Sequence, residues 1–302
     1  MCCMPICAMT GGGARQSARR VTFGLAALVL FPLGNWGLLM IRYILLLMLA
    51  TPAMAQDRVP SHCIALADAG TPVHRVAFAD PVAMGDVRIR YLDHASFALR
   101  TPQGKVLVTD YTGFIGGDDT VPDVVTMNNA HGTHWTARPD PRVPHVLPGW
   151  GDGAAAEHYL DLGEVLVRNV PTDVMNRGVL RKDGNSIFIF EVAGLCIGHL
   201  GHLHHIPDAA QFAAIGRLDV LMVPVDGGYT LDLPSMMTVV RRLRSSVVFP
   251  MHWFSGASLS AFLAEMGDQF QVVEPGISQI DLSLARLPKT PTIIVLEPEY
   301  LP

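Results

Sequence analysis

Charge is scarce in this 302-residue chain: 16% of its residues are Asp, Glu, Lys or Arg, and no long basic run follows residue 55. Proteins that track nucleic-acid phosphates need such a run or patch, so nucleic-acid binding is set aside. Cysteine is also scarce. Three of the five, Cys2, Cys3 and Cys7, stand at the extreme N-terminus, which leaves Cys63 and Cys196 as the only pair available to the body of the chain. Acidic residues are missing altogether from the first 55 positions. No internal repeat or low-complexity linker interrupts the remainder, which therefore reads as one domain, residues 56–302.

What is present is a strongly apolar, globular composition, with half of all residues hydrophobic. Two apolar runs lie near the start. The second, "IRYILLLMLATPAMA", has the layout of a secretory signal over residues 40–55: Arg42, a short apolar core, and "AMA" before Gln56. The core is too short to span a bilayer comfortably. Met40 makes the signal complete by itself, so residues 1–39 read as an over-long start or an extended n-region. A twin-arginine signal at Arg19 and Arg20 and a retained membrane anchor are the competing readings. Export predicts a periplasmic or secreted protein with no stable membrane span after processing. Losing four arginines leaves 18 of the 22 basic residues against 27 acidic ones. In an oxidising compartment Cys63 and Cys196 have the opportunity to pair, although Cys196 also reads as a small buried strand residue.

"VRIRYLDHASFALRTPQGKVLVTD" alternates like a β-meander, with "PQGK" as a turn. "DVVTM", "GEVLVRNV" and "NSIFIFEVAGLCIGHL" are further strands, and "NNAHGTHWTARPDPRVPH" is a proline-rich loop. From there the period changes. "DAAQFAAIGRL", "LPSMMTVVRRLRS" and "SLSAFLAEMG" read as helices between the strands "DVLMVPV", "SVVFPM" and "TIIVLE".

Metal-capable side chains concentrate at three strand ends: His131 and His134 in "NNAHGTHW", four histidines in "GHLGHLHH", and His252 in "PMHW". Imidazoles two residues apart on a loop are able to converge on one ion. Each site alone also has an ordinary explanation. His252 fits a hydrogen-bonded structural residue, and "HLHH" fits a solvated turn.

The order "LDHASFAL", "VLVTDY", "TMNNAHGTH", "GHLGHLHH", "DVLMVPVDGGYT", "FPMHW", over about residues 87–255, resembles the metallo-β-lactamase superfamily. That resemblance implies an α/β fold of α+β type, a four-layer αββα sandwich. It also exposes departures. The family's "THxHxDH" has Asn129 for its first histidine and Thr133 for its aspartate, while His131 and His134 remain. In "HLGDLGH" the metal-bridging aspartate is replaced by His202 and a glycine by His204, while His199 and His205 match. The third-motif histidine is missing, and only Thr172 and Asp173 stand near its place. Two carboxylates have become a hydroxyl and an imidazole, so one ion is expected instead of two.

The resemblance therefore implies metal ligands His134, His202 and His252, with His131 as a fourth. Asp226, at a family glycine, is an acidic candidate for a ligand or general base; it also reads as a turn residue before "GG". Asp226 or Thr133 is expected to position the attacking water. His94, Asp110, His199 and Asn129 are expected to orient or border the site. His62, His74, His145 and His158 match no motif and read as surface residues. The implied activity is an exported hydrolase acting on an ester, amide or phosphoester. One Zn²⁺, or another transition metal, would lower the pKa of its bound water to about 7. A small-molecule substrate is expected, and an anionic one would suit a cationic metal pocket. The alternative is a non-catalytic or redox metal- or ligand-binding protein on the same fold.

Overall fold

The computed structural model describes residues 77–117, 120–176, 178–254 and 256–300. The expectations for residues 1–39, the signal at 40–55, Cys63, His62 and His74 lie outside the described residues.

Two sheets carry the fold. The first holds β1 (Asp86–Asp93), β2 (Ser96–Arg100), β3 (Val106–Val108), β4 (Val124–Met127), β5 (His145–Pro148) and β13 (Gln279–Ser283), in the order β13-β1-β2-β3-β4-β5. The second holds β6 (Tyr159–Asp161), β7 (Val165–Asn176), β8 (Val179–Val192), β9 (Leu195–His199), β10 (Val220–Pro224), β11 (Val247–Met251), β12 (Gln271–Val273) and β14 (Thr292–Ile294). Its order is β12-β14-β11-β10-β9-β8-β7-β6.

Alternation explains how the sheets stack. Val87, Ile89 and Tyr91 of β1 face Phe188, Phe190 and Phe249 of the second sheet in one buried core. The opposite face of β1 carries two buried arginines, which stay there because each is paired. Arg88 grips Asp281 through Nε and Nη2 at 2.7 and 2.8 Å and also donates to the carbonyls of Phe78 and Asp80. Arg90 lies 4.0 Å over the Phe78 ring and pairs with Glu299.

Three helices cover the outer face of the second sheet: α1 (Ala209–Ile215), α2 (Leu233–Leu243) and α3 (Gly256–Met266). Their starts follow local chemistry. Asp208 and Gln211 form a capping box on α1, while Asp232 caps α2 ahead of Pro234. The stacked sheets of the expected α/β sandwich are present, with the helical layer on the second sheet. Among the described residues, the outer cover of the first sheet comes from loop residues such as Tyr111, Ile115, Trp135 and Val143.

Two regions differ from the sequence expectation. Strand β5 begins inside the stretch read as a proline-rich loop, since only short, half-buried "HVLP" pairs with β4. Strands β7 and β8 extend into a long hairpin, past a register shift between Thr172 and Val174, with exposed apolar residues that no alternation announces.

Candidate metal centre

β9, β10 and β11 run parallel, as do β3, β4 and β5, so the loops that leave their C-terminal ends share one edge of each sheet. Those loops carry Asp110 after β3, Asn129 to His134 after β4, His202 after β9, Asp226 after β10 and His252 after β11. The turn between β1 and β2 adds His94.

Backbone contacts draw these loops together. The His252 N–H donates to the His94 carbonyl at 2.7 Å, and the Tyr91 hydroxyl donates to the same oxygen at 2.7 Å. His94, Asp110 and His252 have φ of 39°, 43° and 59°. Three non-glycine residues held in the left-handed region at one site mark backbone strain sustained by its surroundings. At Gly201, with φ of 59°, a Cβ would come within 2.2 Å of the Asn128 side chain. Only glycine lets the turn before His202 approach that residue so closely.

His94, His134 and His252 each offer a ring nitrogen within 4.8 Å of the other two. Nε2 of His134 faces Nε2 of His252 at 3.1 Å. Behind each ring stands a carboxylate. His134 Nδ1 lies 2.5 Å from Asp110 Oδ2, and His252 Nδ1 lies 2.9 Å from Asp226 Oδ2. The second contact is an ion-pair contact that falls short of full hydrogen-bond geometry, so Asp226 acts on the His252 Nδ1 proton chiefly by its charge. Nε2 of His94 and Nδ1 of His202 are buried and also lack a hydrogen-bond partner. Unpaired buried ring nitrogens are costly, and they suit a cation.

His202 adjoins the trio, its ring centroid 4.7 Å from that of His134 and 5.4 Å from that of His252. His131 is exposed and stacks on His202 at 5.4 Å, farther out than the trio. Thr133 is exposed, its hydroxyl 3.4 Å from His131 Nδ1. Asn129 forms an isolated bridge to Asn185 and lines the cavity. His199 is buried between the Asn128 amide at 3.0 Å and the Ala95 carbonyl at 2.8 Å. At the place of the absent third-motif histidine, the Thr172 hydroxyl accepts from Asn185 at 2.7 Å.

Asp226 is enclosed by its own turn. Oδ1 accepts from the backbone N–H groups of Gly228, Tyr229 and Thr230, and Oδ2 accepts from the Thr230 hydroxyl. Burial alone would raise its pKa, but His252, Thr230 and the backbone donors outweigh burial and hold the carboxyl well below its usual range. At Asp110 burial prevails and pushes the carboxyl up to about 7, against the lowering effects of His199 and the Asn128 N–H.

Two residues gain prominence that the motifs did not give them. His94 joins the closest trio, and His204 lines the cavity with an unpartnered Nε2. The run "HLHH" was the visible signal for His204. His158 departs from the surface reading: it donates to the Pro148 carbonyl at 2.7 Å and stacks on Phe188. Cys196 is disulfide-bonded, and the four other cysteines lie outside the described residues.

Burial, with repulsion among the rings, lowers the pKa of His94 to about 3, of His202 to about 2, and also those of His134, His199 and His204. A folded pKa below the unfolded value of about 6.5 gives stability above that value that is lost as pH falls. Asp93 and Asp110, raised by burial, act in the opposite sense but are outnumbered. The melting temperature of the metal-free protein should therefore fall between pH 7.5 and 5. The fully enclosed His134 and His199 act in this sense, since both are held neutral by burial. A flat or rising melting temperature across that range would contradict this.

Residues 88–252 match the family model described as a beta-lactamase superfamily domain. A UPF0173 metal-dependent hydrolase of Carboxydothermus hydrogenoformans is 25% identical over 228 residues, covering 63% of this chain and 98% of that protein. One from Methanosphaerula palustris is 27% identical over 187 residues, covering 55% and 84%. Among solved structures, a Thermotoga maritima protein assigned to the Zn-dependent hydrolases of the metallo-β-lactamase superfamily aligns with a TM-score of 0.52 and 29% identity, over 70% of this chain and 98% of that one.

Proposed function

The chain belongs to the β-lactamase superfamily, and from that premise we propose that it is a metal-dependent hydrolase with one divalent ion held by His94, His134 and His252. One observation carries this reading: two Nε2 atoms 3.1 Å apart, each on a ring whose Nδ1 faces a carboxylate. A carboxylate behind Nδ1 favours the proton there and leaves Nε2 a bare lone pair. Two lone pairs aimed at each other in a buried site are stabilised by a cation between them. Imidazole donors suit zinc, and also copper or iron. His202 is the nearest further donor. With Thr133 and His202 at positions where the family carries carboxylates, a second dication has little to neutralise it.

When bound, such an ion supplies an acidified water and a Lewis acid for the scissile group. The chain's own residues do the rest. Asp110 fixes the tautomer and direction of His134, and Asp226 does the same for His252. Five groups crowd the roughly four lone-pair sites of the Asp226 carboxylate. It is therefore read as an orienting group, with no lone pair left over to take a proton from water. Asn129 and Thr133 border the cavity on the side of His131, where they are able to hydrogen-bond a substrate or water.

Metal content and ester hydrolysis measured on one preparation test the reading. Turnover that appears with about one equivalent of zinc and vanishes with a chelator is the expected result. Full metal occupancy with no turnover of any ester, amide or phosphoester would favour a binding protein. The signal at 40–55 and the disulfide at Cys196 support export to an oxidising compartment. N-terminal sequencing of the mature protein should begin at Gln56; a chain that retains residues 1–39 would refute that start.

A further inference from the structure

The cavity beside the trio measures about 590 Å³, and its mouth is apolar. Met175, Tyr229 and Phe254 line it, with 46%, 69% and 62% of their surface exposed. Exposed large hydrophobic side chains gathered around one opening mark a binding surface more often than isolated ones do. The Tyr229 and Phe254 rings meet edge to face at 5.1 Å, and Phe254 packs 5.2 and 5.3 Å from the rings of His94 and His252. An aromatic shelf therefore runs from the candidate metal ligands to solvent. The β7–β8 hairpin stands over the opposite side. Leu180 is the cross-strand partner of Met175, so the two share one face of the ribbon, and Leu180 is 59% exposed.

Charge is absent from the cavity lining, and the nearest cross-strand cation, Arg181, stands opposite Val174 on the hairpin outside that lining. Among the described residues, none that lines the cavity is Lys, Arg, Asp or Glu. The Asp226 carboxylate behind His252 is taken up by its own turn and by His252. A phosphoester or carboxylate substrate needs a counter-charge besides the ion itself, most often an arginine fork. Nothing lining this cavity supplies one.

We propose that the site selects an uncharged carboxylic ester or amide carrying a hydrophobic acyl or aryl group, which lies between the Tyr229–Phe254 shelf and the Met175–Leu180 face of the hairpin. This rests on the hydrolase reading for its chemistry, but the apolar selectivity has its own readout. It replaces the anionic substrate expected from a cationic metal pocket, because the lining around that pocket adds no further cation.

The test uses the metal-loaded protein with p-nitrophenyl esters from acetate to octanoate, and with p-nitrophenyl phosphate and bis-p-nitrophenyl phosphate. In parallel, the neutral fluorophore N-phenyl-1-naphthylamine reports apolar binding without turnover. The expected results are a kcat/KM that rises at least tenfold from acetate to octanoate, mainly through KM, and phosphoesters at least a hundredfold slower. The double variant Met175→Ser, Leu180→Ser should flatten the chain-length series and weaken fluorophore binding at least fivefold. Both side chains are exposed, so the fold should survive, and unchanged metal content checks this. Preference for a phosphoester, or a flat series in the wild type, overturns the proposal while leaving the hydrolase reading intact. If no compound is turned over, the hydrolase reading fails and the fluorophore decides: binding lost in the double variant supports the apolar rim, and unchanged binding overturns it.

Discussion

Replacing His252 with alanine should abolish binding of the proposed divalent ion and lower hydrolysis by more than roughly 100-fold, beyond the cost of losing a group that only orients a ligand. Three contacts make this side chain central. Its Nε2 faces His134 at 3.1 Å, its Nδ1 lies 2.9 Å from Asp226, and its backbone N–H ties the β11 end to the His94 carbonyl. The last of these survives truncation, so the loop keeps its course while the donor disappears. Alanine meets the same left-handed φ of 59° as histidine does, so the substitution adds little backbone strain of its own. His134→Ala should behave likewise. His205→Ala is the control, because that ring accepts from the Asp173 N–H at 3.1 Å and contacts the Ile206 carbonyl instead of the trio. Metal content by mass spectrometry, with stopped-time ester assays, checks the outcome. Full metal retention in His252→Ala would show that the ion sits elsewhere.

The second large effect is expected at Asp110, where one substitution should move affinity and stability in opposite directions. Asp110 is fully buried, accepts the Asn128 N–H at 2.9 Å and touches His134 Nδ1 at 2.5 Å. In Asp110→Asn the amide oxygen keeps the Asn128 bond and the NH₂ group turns toward His134. That reverses the tautomer, places the proton on Nε2 and removes the lone pair a metal needs. Metal affinity should fall about 10–100-fold. The metal-free protein should become more stable at pH 8. Burial raises the Asp110 pKa to about 7 from an ordinary 3.8, so ionising it costs stability as pH rises through that window, and asparagine has no such cost. Wild-type metal affinity should also drop as pH falls through about 7, when Asp110 gains a proton. Titration calorimetry and thermal melts on both proteins measure these effects. A variant that loses both stability and affinity would make Asp110 a packing residue only.

Much of this was legible in the chain, and what was not has physical causes. Helices α1 and α2 were readable because Asp208, Asp232 and Pro234 act within a few residues of the segments they start. The inter-sheet core was readable because alternation in β1 and the apolar run of β8 follow from burial. Strand β5 was not, because four half-buried residues after prolines carry too little pattern. The hairpin extension was not, because Met175, Val179 and Leu180 are exposed apolar residues that join no core. The histidine runs were visible, but their grouping depends on long-range contacts. His94 meets His252 only because the β1–β2 turn and the end of β11 bond across two sheets. His131 and His134 are neighbours in sequence, yet one is exposed and the other has no accessible surface. Asp226 was legible as a turn residue, since its donors lie within four positions, whereas its contact with His252 was not.

Anomalous diffraction at the zinc edge from crystals of the metal-loaded protein tests the central claim most directly. One peak per chain, within bonding distance of ring nitrogens of His94, His134 and His252, is the result expected. Two peaks per chain, or a single peak between His131 and His202 away from His94, would contradict it.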